Sequence, residues 1–426
     1  MGPLIKIIRA ALITFFCLSA CSPSAAFSIA RSDQPRIKNP KVSQDDLSAL
    51  VDGNNAFALN LYQSLRAAEG NLVFSPYSIS IALAMTYAGA SGETESQMAD
   101  ALQFKLPQER LHPAFNQLDL GLLQEGQSGS DKGQSLQLDI ANAVWAEQTY
   151  KFLQSFLDKV AQNYGAGIQL ADFVNNPESV RSGINQWIGD QTHQKIRDLI
   201  QEGAIDPMTK LVLVNAIYFK ADWENQFDPA DTREAPFHLL DGSVSQVKMM
   251  SKLLFGIPYS TGNGYQAVKL GYFGNTAEMD FLVPDEGNFE VFESQLNIQK
   301  LDDILAGMQP TTLSLDLPKF GFKTNMDLGQ YLIVLGMPDA FDPNQADFSG
   351  MTGGRDLFIS RALHQAFVTV DEKGTEAGAA TSIIMAPTSI LRSEAILTID
   401  RPFIFIIRHV VSKQILFVGR VLDPTK

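Results

Sequence analysis

Five histidines (His112, His193, His238, His364 and His409) and two cysteines (Cys17 and Cys21) are the side chains of this 426-residue chain best suited to proton transfer, nucleophilic attack or metal binding. The histidines are scattered without ligand spacing, and a lone histidine is more often a hydrogen-bonded structural group than a catalyst. Gly-x-Ser-x-Gly elbows, His-Glu-x-x-His pairs and Gly-x-x-x-x-Gly-Lys phosphate loops are all missing. Neither an enzyme nor a cofactor or metal site is expected from this set.

At 45% hydrophobic, the chain has material for a large core, and its 31 glycines and 20 prolines are near average usage. No Pro-rich, Ser-rich or charge-run linker and no fixed-period repeat occurs after the first tenth of the chain, so residues 45–426 read as one mixed domain. A net charge of −14 with no basic stripe excludes nucleic acid, because phosphate binding needs clustered lysine and arginine. Both cysteines precede the domain, so its stability must come from the core and not from disulfides.

The N-terminus has the make-up of an export signal. Lys6 and Arg9 precede an apolar run, Ala10 to Leu18, that is too short to span a membrane. Leu18-Ser19-Ala20-Cys21 then resembles the lipobox at which bacterial lipoproteins are cut and acylated, and no Asn-x-Ser/Thr glycosylation site occurs in the chain. The expectation is a signal peptide over 1–20, a lipid on Cys21 and a flexible tether over 21–44, placing the protein in a bacterial cell envelope. Ordinary cleavage near Ala25 or Ala26, leaving a soluble secreted protein, is the alternative.

The positioning elements follow from periodicity. From Asp45, apolar residues Leu47, Leu50, Val51, Phe57, Ala58, Leu61 and Leu65 fall on one helical face. Asn71 to Gln97 gives a short strand, then Ser75 as cap and Pro76 at the first position of an apolar helix ending at Gly89, with Ser78 and Ser80 needing partners if buried. Helix and strand alternate to about Tyr164, and Asn176 to Gly203 reads as an amphipathic helix. Leu211 to Lys220 is a continuous apolar strand interrupted by Asn215, a costly residue there unless hydrogen-bonded. Short strands are expected over Arg233 to Val283, a strand pair over Leu313 to Lys323, and a helix over Met326 to Leu335. Three last strands are expected at Ala395 to Ile399, Pro402 to Arg408 and Ile415 to Val421.

One stretch resists this reading. Phe367 to Val370 alternates like a strand, but the chain then runs DEKGTEAGAATSIIMAPTSILRS to Ser393, and GTEAGAAT holds no large apolar side chain to anchor it. Composition alone favours a flexible surface linker.

Four separated motifs bear on that stretch: NLVFSPYSISIALAMTYAGASGET, LVLVNAIYFKADWENQF, ALHQAFVTVDEKGTEAGAAT, and DRPFIFIIRH with ILFVGRVLDP. In this order they resemble the serpin family over nearly the whole chain from residue 45 to 424. The resemblance implies an α+β domain of three β-sheets with about eight to nine helices and an exposed reactive loop at about 373–395. It makes Ser75, Ser78, Asn215 and His364 a polar shutter beneath the main sheet, Trp223 the aromatic at the breach above it, and Glu372, Gly374, Thr375, Glu376, Ala377, Gly378, Ala379 and Ala380 the loop's hinge.

It also implies a suicide substrate: a serine protease acylates itself on the loop, which then inserts into the main sheet as a new strand. The residues allow this. In steps of two from Thr375 the inward face is Thr375, Ala377, Ala379, Thr381, Ile383 and Met385, none charged, and the outward face carries a charge only at Glu376. Counting seventeen positions from Glu372, as the family does, puts the attacked bond at Thr388-Ser389. A small β-branched residue there suits an elastase-like pocket. Arg392-Ser393 for a trypsin-like enzyme, and Leu391-Arg392 or Met385-Ala386 for a chymotrypsin-like one, are the competitors. The partner expected is thus a serine protease, with the inhibitor a monomer. No basic cluster lies between Leu111 and Leu138, so no heparin site is expected. A non-inhibitory binding or chaperone-type member, cleaved without trapping, is the second reading.

Overall fold

A computed structural model describes residues 27–128, 137–375 and 393–426. Its first part holds β1 (Ser28–Ala30), α1 (Gln44–Leu65), β2 (Leu72–Phe74), α2 (Pro76–Tyr87), α3 (Gly92–Ala101) and α4 (Gln108–Ser128). Then come β3 (Gln137–Glu147), α5 (Gln154–Tyr164), β4 (Ile168–Ala171), α6 (Pro177–Gln191) and β5 (Leu211–Asp222). A meander of β6 (Arg233–His238), β7 (Val244–Gly262), β8 (Tyr265–Gly271) and β9 (Ala277–Pro284) leads to α7 (Phe289–Gln295) and α8 (Ile298–Ala306). After β10 (Gln309–Pro318) and β11 (Phe320–Asp327) stand α9 (Gly329–Val334) and α10 (Ser349–Thr352). The chain closes with β12 (Ile359–Val370), β13 (Gly374–Thr375), β14 (Ala395–Thr398), β15 (Phe403–His409) and β16 (Ile415–Val421).

Seven strands form the main sheet, in the order β1-β4-β3-β5-β13-β12-β11. The others form one continuous ladder that β7 divides: its residues 244–259 pair with β6 and β10, and from Tyr259 onward it pairs with β8. The three-sheet α+β architecture expected from the resemblance is therefore present. β5 is buried on both faces, and its alternation splits them cleanly. Leu211, Leu213, Ile217 and Phe219 face the large core with α1 and α2, whereas Val212, Val214 and Ala216 face a smaller core under α6. α2 is apolar all round and buried at every position, as a helix enclosed within a domain must be.

Four local expectations are corrected. Helix α6 stops at Gln191, because Thr192 turns its hydroxyl back to the Ile188 carbonyl (2.8 Å) and His193 and Gln194 take left-handed φ of 50° and 62°. The strand pair at Leu313 to Lys323 is two strands, but β10 and β11 belong to different sheets. Met326 is not helical; it stands in β11 opposite His364, one residue before the strand ends at Asp327, and only Gly329–Val334 is helix. Finally, the tether expected over 21–44 is docked from Phe27 on: β1 is a strand of the main sheet, and Arg36 is ion-paired to Asp119 at 2.6 Å.

Candidate functional site

Two polar constellations lie along the seam between β5 and β12. Below, the two strands pair directly and in parallel, from Ile359 beside Leu211 to Phe367 beside Tyr218. Above, β13 separates them, with Gly374 opposite Asp222 and Thr375 opposite Ala221 on one side and Val370 on the other.

The lower constellation is a row across three strands, since register sets Asn142 of β3, Asn215 of β5 and His364 of β12 side by side. The Ser75 amide donates to His364 Nε2 at 3.2 Å, so the ring proton sits on Nδ1 and goes to Asn215 Oδ1. Asn215 Nδ2 in turn donates to Ser78 Oγ and Asn142 Oδ1. Ser75 also caps α2 by accepting from the Ser78 amide at 3.2 Å, as the Ser-Pro start predicts. Ser80, in the same helix, stands outside this row with its buried hydroxyl unpaired.

The upper constellation holds the start of the unusual stretch. Asp371 to Gly374 is a tight turn, with the Asp371 amide donating to the Gly374 carbonyl (2.9 Å) and the Asp371 carboxylate accepting from the Lys373 amide (2.9 Å). Trp223 donates its indole N–H to the Asp371 carbonyl (3.1 Å) and stacks on Tyr272 at 4.5 Å. Tyr272 and Thr375 share a hydroxyl hydrogen bond of 2.6 Å inside the core. Gly374 is required on steric grounds: a Cβ there would lie 2.1 Å from the Ala221 carbonyl oxygen. Glu372 is held by Lys319 at 2.7 Å and Thr232 at 2.9 Å. Burial alone would raise its carboxyl pKa, but these hydrogen bonds keep it below the ordinary value.

The serpin family model, described as serine protease inhibitor, matches residues 52–424. The chain belongs to the serpin family. Leukocyte elastase inhibitor A of Mus musculus is 39% identical over 388 residues, which is 89% of this chain and all of that protein. The Homo sapiens leukocyte elastase inhibitor is 38% identical over the same length, again 89% of this chain and 100% of that one. Among solved structures, uncleaved ovalbumin superposes with a TM-score of 0.80 at 27% identity, covering 88% of this chain and 100% of its own. The thermophilic serpin tengpin in its native state gives 0.80 at 28%, covering 93% and 99%.

In this serpin the structure brings Ser75, Ser78, Asn215 and His364 together, and separately gathers Glu372, Gly374 and Thr375 beside Trp223. Of the remaining predicted residues, Ser393 precedes β14, while Cys21, Glu376, Ala377, Gly378, Ala379, Ala380, Thr388, Ser389 and Arg392 lie outside the described residues. Asn142, Tyr272, Lys319 and Thr232 were missed by sequence reasoning. Asn142 had a signal: it interrupts the apolar run of β3 just as Asn215 interrupts that of β5.

Burial lowers the His364 pKa to about 3, and burial with Lys159 nearby does the same to His112. The sign follows from the depressed values. Each neutral ring contributes stability in full above about pH 6.5, the unfolded value, and loses it as pH falls toward 3. Between pH 6.5 and 5, where few carboxylates titrate, each histidine is expected to cost about 1.4 kcal/mol per pH unit. Urea unfolding at both pH values checks this, with His364→Gln expected to halve the pH dependence; an undiminished slope would count against it.

Proposed function

We propose that this serpin inhibits an elastase-like serine protease as a suicide substrate, cut between Thr388 and Ser389. The observation that carries the reading is the register of β13, which already occupies the top of the β5–β12 seam with Thr375 facing the core. Continuing that antiparallel register after cleavage sets Ala377 opposite Phe219 and Ala379 opposite Ile217, small against large. Thr381 then falls opposite Asn215 on one side and His364 on the other, a hydroxyl delivered to the polar row. Ile383 and Met385 follow opposite Leu213 and Leu211, the first residue of β5 and its lower end. Pro387, which cannot donate to a ladder, comes just past the end of the sheet.

The same register bears on the scissile bond. A protease acylated on Thr388 would be drawn to within three residues of the sheet's lower end, with little slack. One acylated on Arg392 would trail four further residues and be gripped less closely. The names of the elastase-inhibiting relatives agree with the smaller residue.

Mixing with elastase should give an SDS-stable complex and release a peptide beginning at Ser389, read by mass spectrometry. A peptide beginning at Ser393 would overturn the bond, and cleaved serpin beside active protease would overturn the trap. Loop cleavage should also raise the melting temperature markedly, since a strand is added to the main sheet; an unchanged melt would argue against insertion. Export and acylation of Cys21 belong to the same reading, and a radiolabelled fatty acid that persists on Cys21→Ala would sink the anchor.

A further inference from the structure

The last turn of α2 opens on a cleft of about 450 Å³ bordered by the first turns of α3, α4 and α5. A helix leaves its final carbonyls without partners inside itself, and here two side chains meet them. Lys159 of α5 donates to the Ala88 carbonyl at 2.9 Å, and Gln108 of α4 donates to the Tyr87 carbonyl at 3.2 Å. The Lys159 ammonium also donates to Gln108 Oε1 at 2.9 Å, and the Gln108 amide reaches Glu95 of α3 at 2.7 Å. Among the described residues Lys159 is the only cation lining the cleft, and it is committed to capping α2.

The carboxylates beside it are not so committed. Glu95 and Glu109 both line the cleft, and neither has an ion-pair partner among the described residues. Tyr87 is an independent sign of a ligand. It is only 4% exposed, its ring 5.4 Å from Phe104 and 6.2 Å from His112, yet among the described residues nothing bonds to its hydroxyl. A buried phenol ordinarily finds a partner. Burial, and then the nearby charges of Glu95 and Glu109, push its pKa up to about 12, so the hydroxyl stays protonated beside the two carboxylates. Phe156, itself buried, adds an apolar wall.

The balance of charge decides what fits. One lysine against two glutamates leaves the cleft net negative, which disfavours an anion. A divalent metal would lie against the Lys159 ammonium with too few oxygen ligands to hold it.

We propose that this cleft binds a small organic cation, an amine or guanidine on a short apolar stem. Its charged head donates to Glu95, Glu109 and the Tyr87 hydroxyl, and its stem lies on Phe156. The volume suits a small molecule. Cleft and polar row stand at opposite ends of α2, so binding is read without any protease and stands or falls apart from the inhibitor reading.

The test titrates the whole chain with agmatine, which carries a guanidine and an amine on one short stem, and follows the ligand's proton lines by NMR. A dissociation constant of about 1 mM is expected for so small a ligand. Glu95→Gln, at a half-buried position, should weaken binding about tenfold, and the exposed Glu109→Gln about threefold. Tyr87→Phe, which keeps the ring and its packing, should weaken it about threefold. Glu93→Gln, an exposed α3 position outside the cleft, should change nothing. Equal effects of Glu93→Gln and Glu109→Gln would reveal diffuse attraction to an acidic surface and overturn the site, as would agmatine that fails to bind at about 10 mM. Glutamate binding as tightly as agmatine would overturn the charge reading. A capped Gly-Arg-Gly peptide binding as tightly would assign the cleft to a protein side chain and overturn the free small cation. If Glu95→Gln or Tyr87→Phe fails to fold, Glu109→Gln at the exposed rim still decides.

Discussion

Thr375→Arg is expected to turn this serpin from a trap into a substrate. Thr375 is fully buried, bonded to Tyr272 and seated opposite Ala221 at the point where the loop joins the sheet. An arginine there brings an unpaired charge into a core lined by Tyr272, Trp223 and Phe219, a cost of several kcal/mol. Even about 3 kcal/mol on the insertion barrier slows that step roughly 100-fold. Hydrolysis of the acyl-enzyme then wins, freeing the protease and leaving cut serpin. SDS gels and residual protease activity read the outcome, with Thr375→Ser expected to retain the complex. A full yield of complex from the arginine variant would refute the inward role of this position.

The second large effect is on stability. Asn215→Ala strips hydrogen bonds from the His364 Nδ1–H, the Ser78 hydroxyl and the Asn142 carbonyl, all in the polar row. The Ser78 hydroxyl still donates to Asn142 Oδ1 at 3.2 Å, so the His364 N–H is the group left unpaired. Its cost of about 1–3 kcal/mol, with about 1 kcal/mol for each of the two other bonds lost, makes a loss of about 4 kcal/mol the expected result in urea unfolding. Ser80→Ala is the matched control. It removes a buried hydroxyl from the same helix that has no partner, and should be neutral or slightly stabilising. If Asn215→Ala costs no more than Ser80→Ala, the row is not a cooperative network.

The residues of these predictions differ in how visible they were before folding. Asn215 and His364 announce themselves as polar groups in apolar strands, and Thr375 as the first of an uncharged alternating series. The family motifs then assign them places. Tyr272 and Lys319 carry no such mark, because a tyrosine or a lysine near a turn is unremarkable until pairing brings β13 beside β5. The docked N-terminal segment was hidden for a different reason. Its polar, proline-containing composition is that of a solvated linker, and what holds it is a three-residue ladder together with single contacts from Phe27, Ser32 and Arg36 to scattered elements. Such contacts depend on a surface that exists only once the domain has folded. The early end of α6 was concealed in the same way, since Asn185 reaches forward to the Ile200 backbone and draws the following chain off the helical path.

The closed seam has one more property of consequence. β5 and β12 run parallel, and slanted parallel bonds are the slightly weaker kind of strand pairing. A strand arriving from β13 runs antiparallel to both neighbours, so it exchanges one parallel ladder for two antiparallel ones. Each net hydrogen bond contributes about 0.5–1.5 kcal/mol, so some ten additional pairings amount to roughly 5–15 kcal/mol. That is comparable to the whole folding stability of an ordinary domain. The energy that would drive a protease to the far end of the molecule would therefore come chiefly from the pairings of the added strand, with chain direction adding a smaller share: the native sheet is closed along a boundary where two strands point the same way.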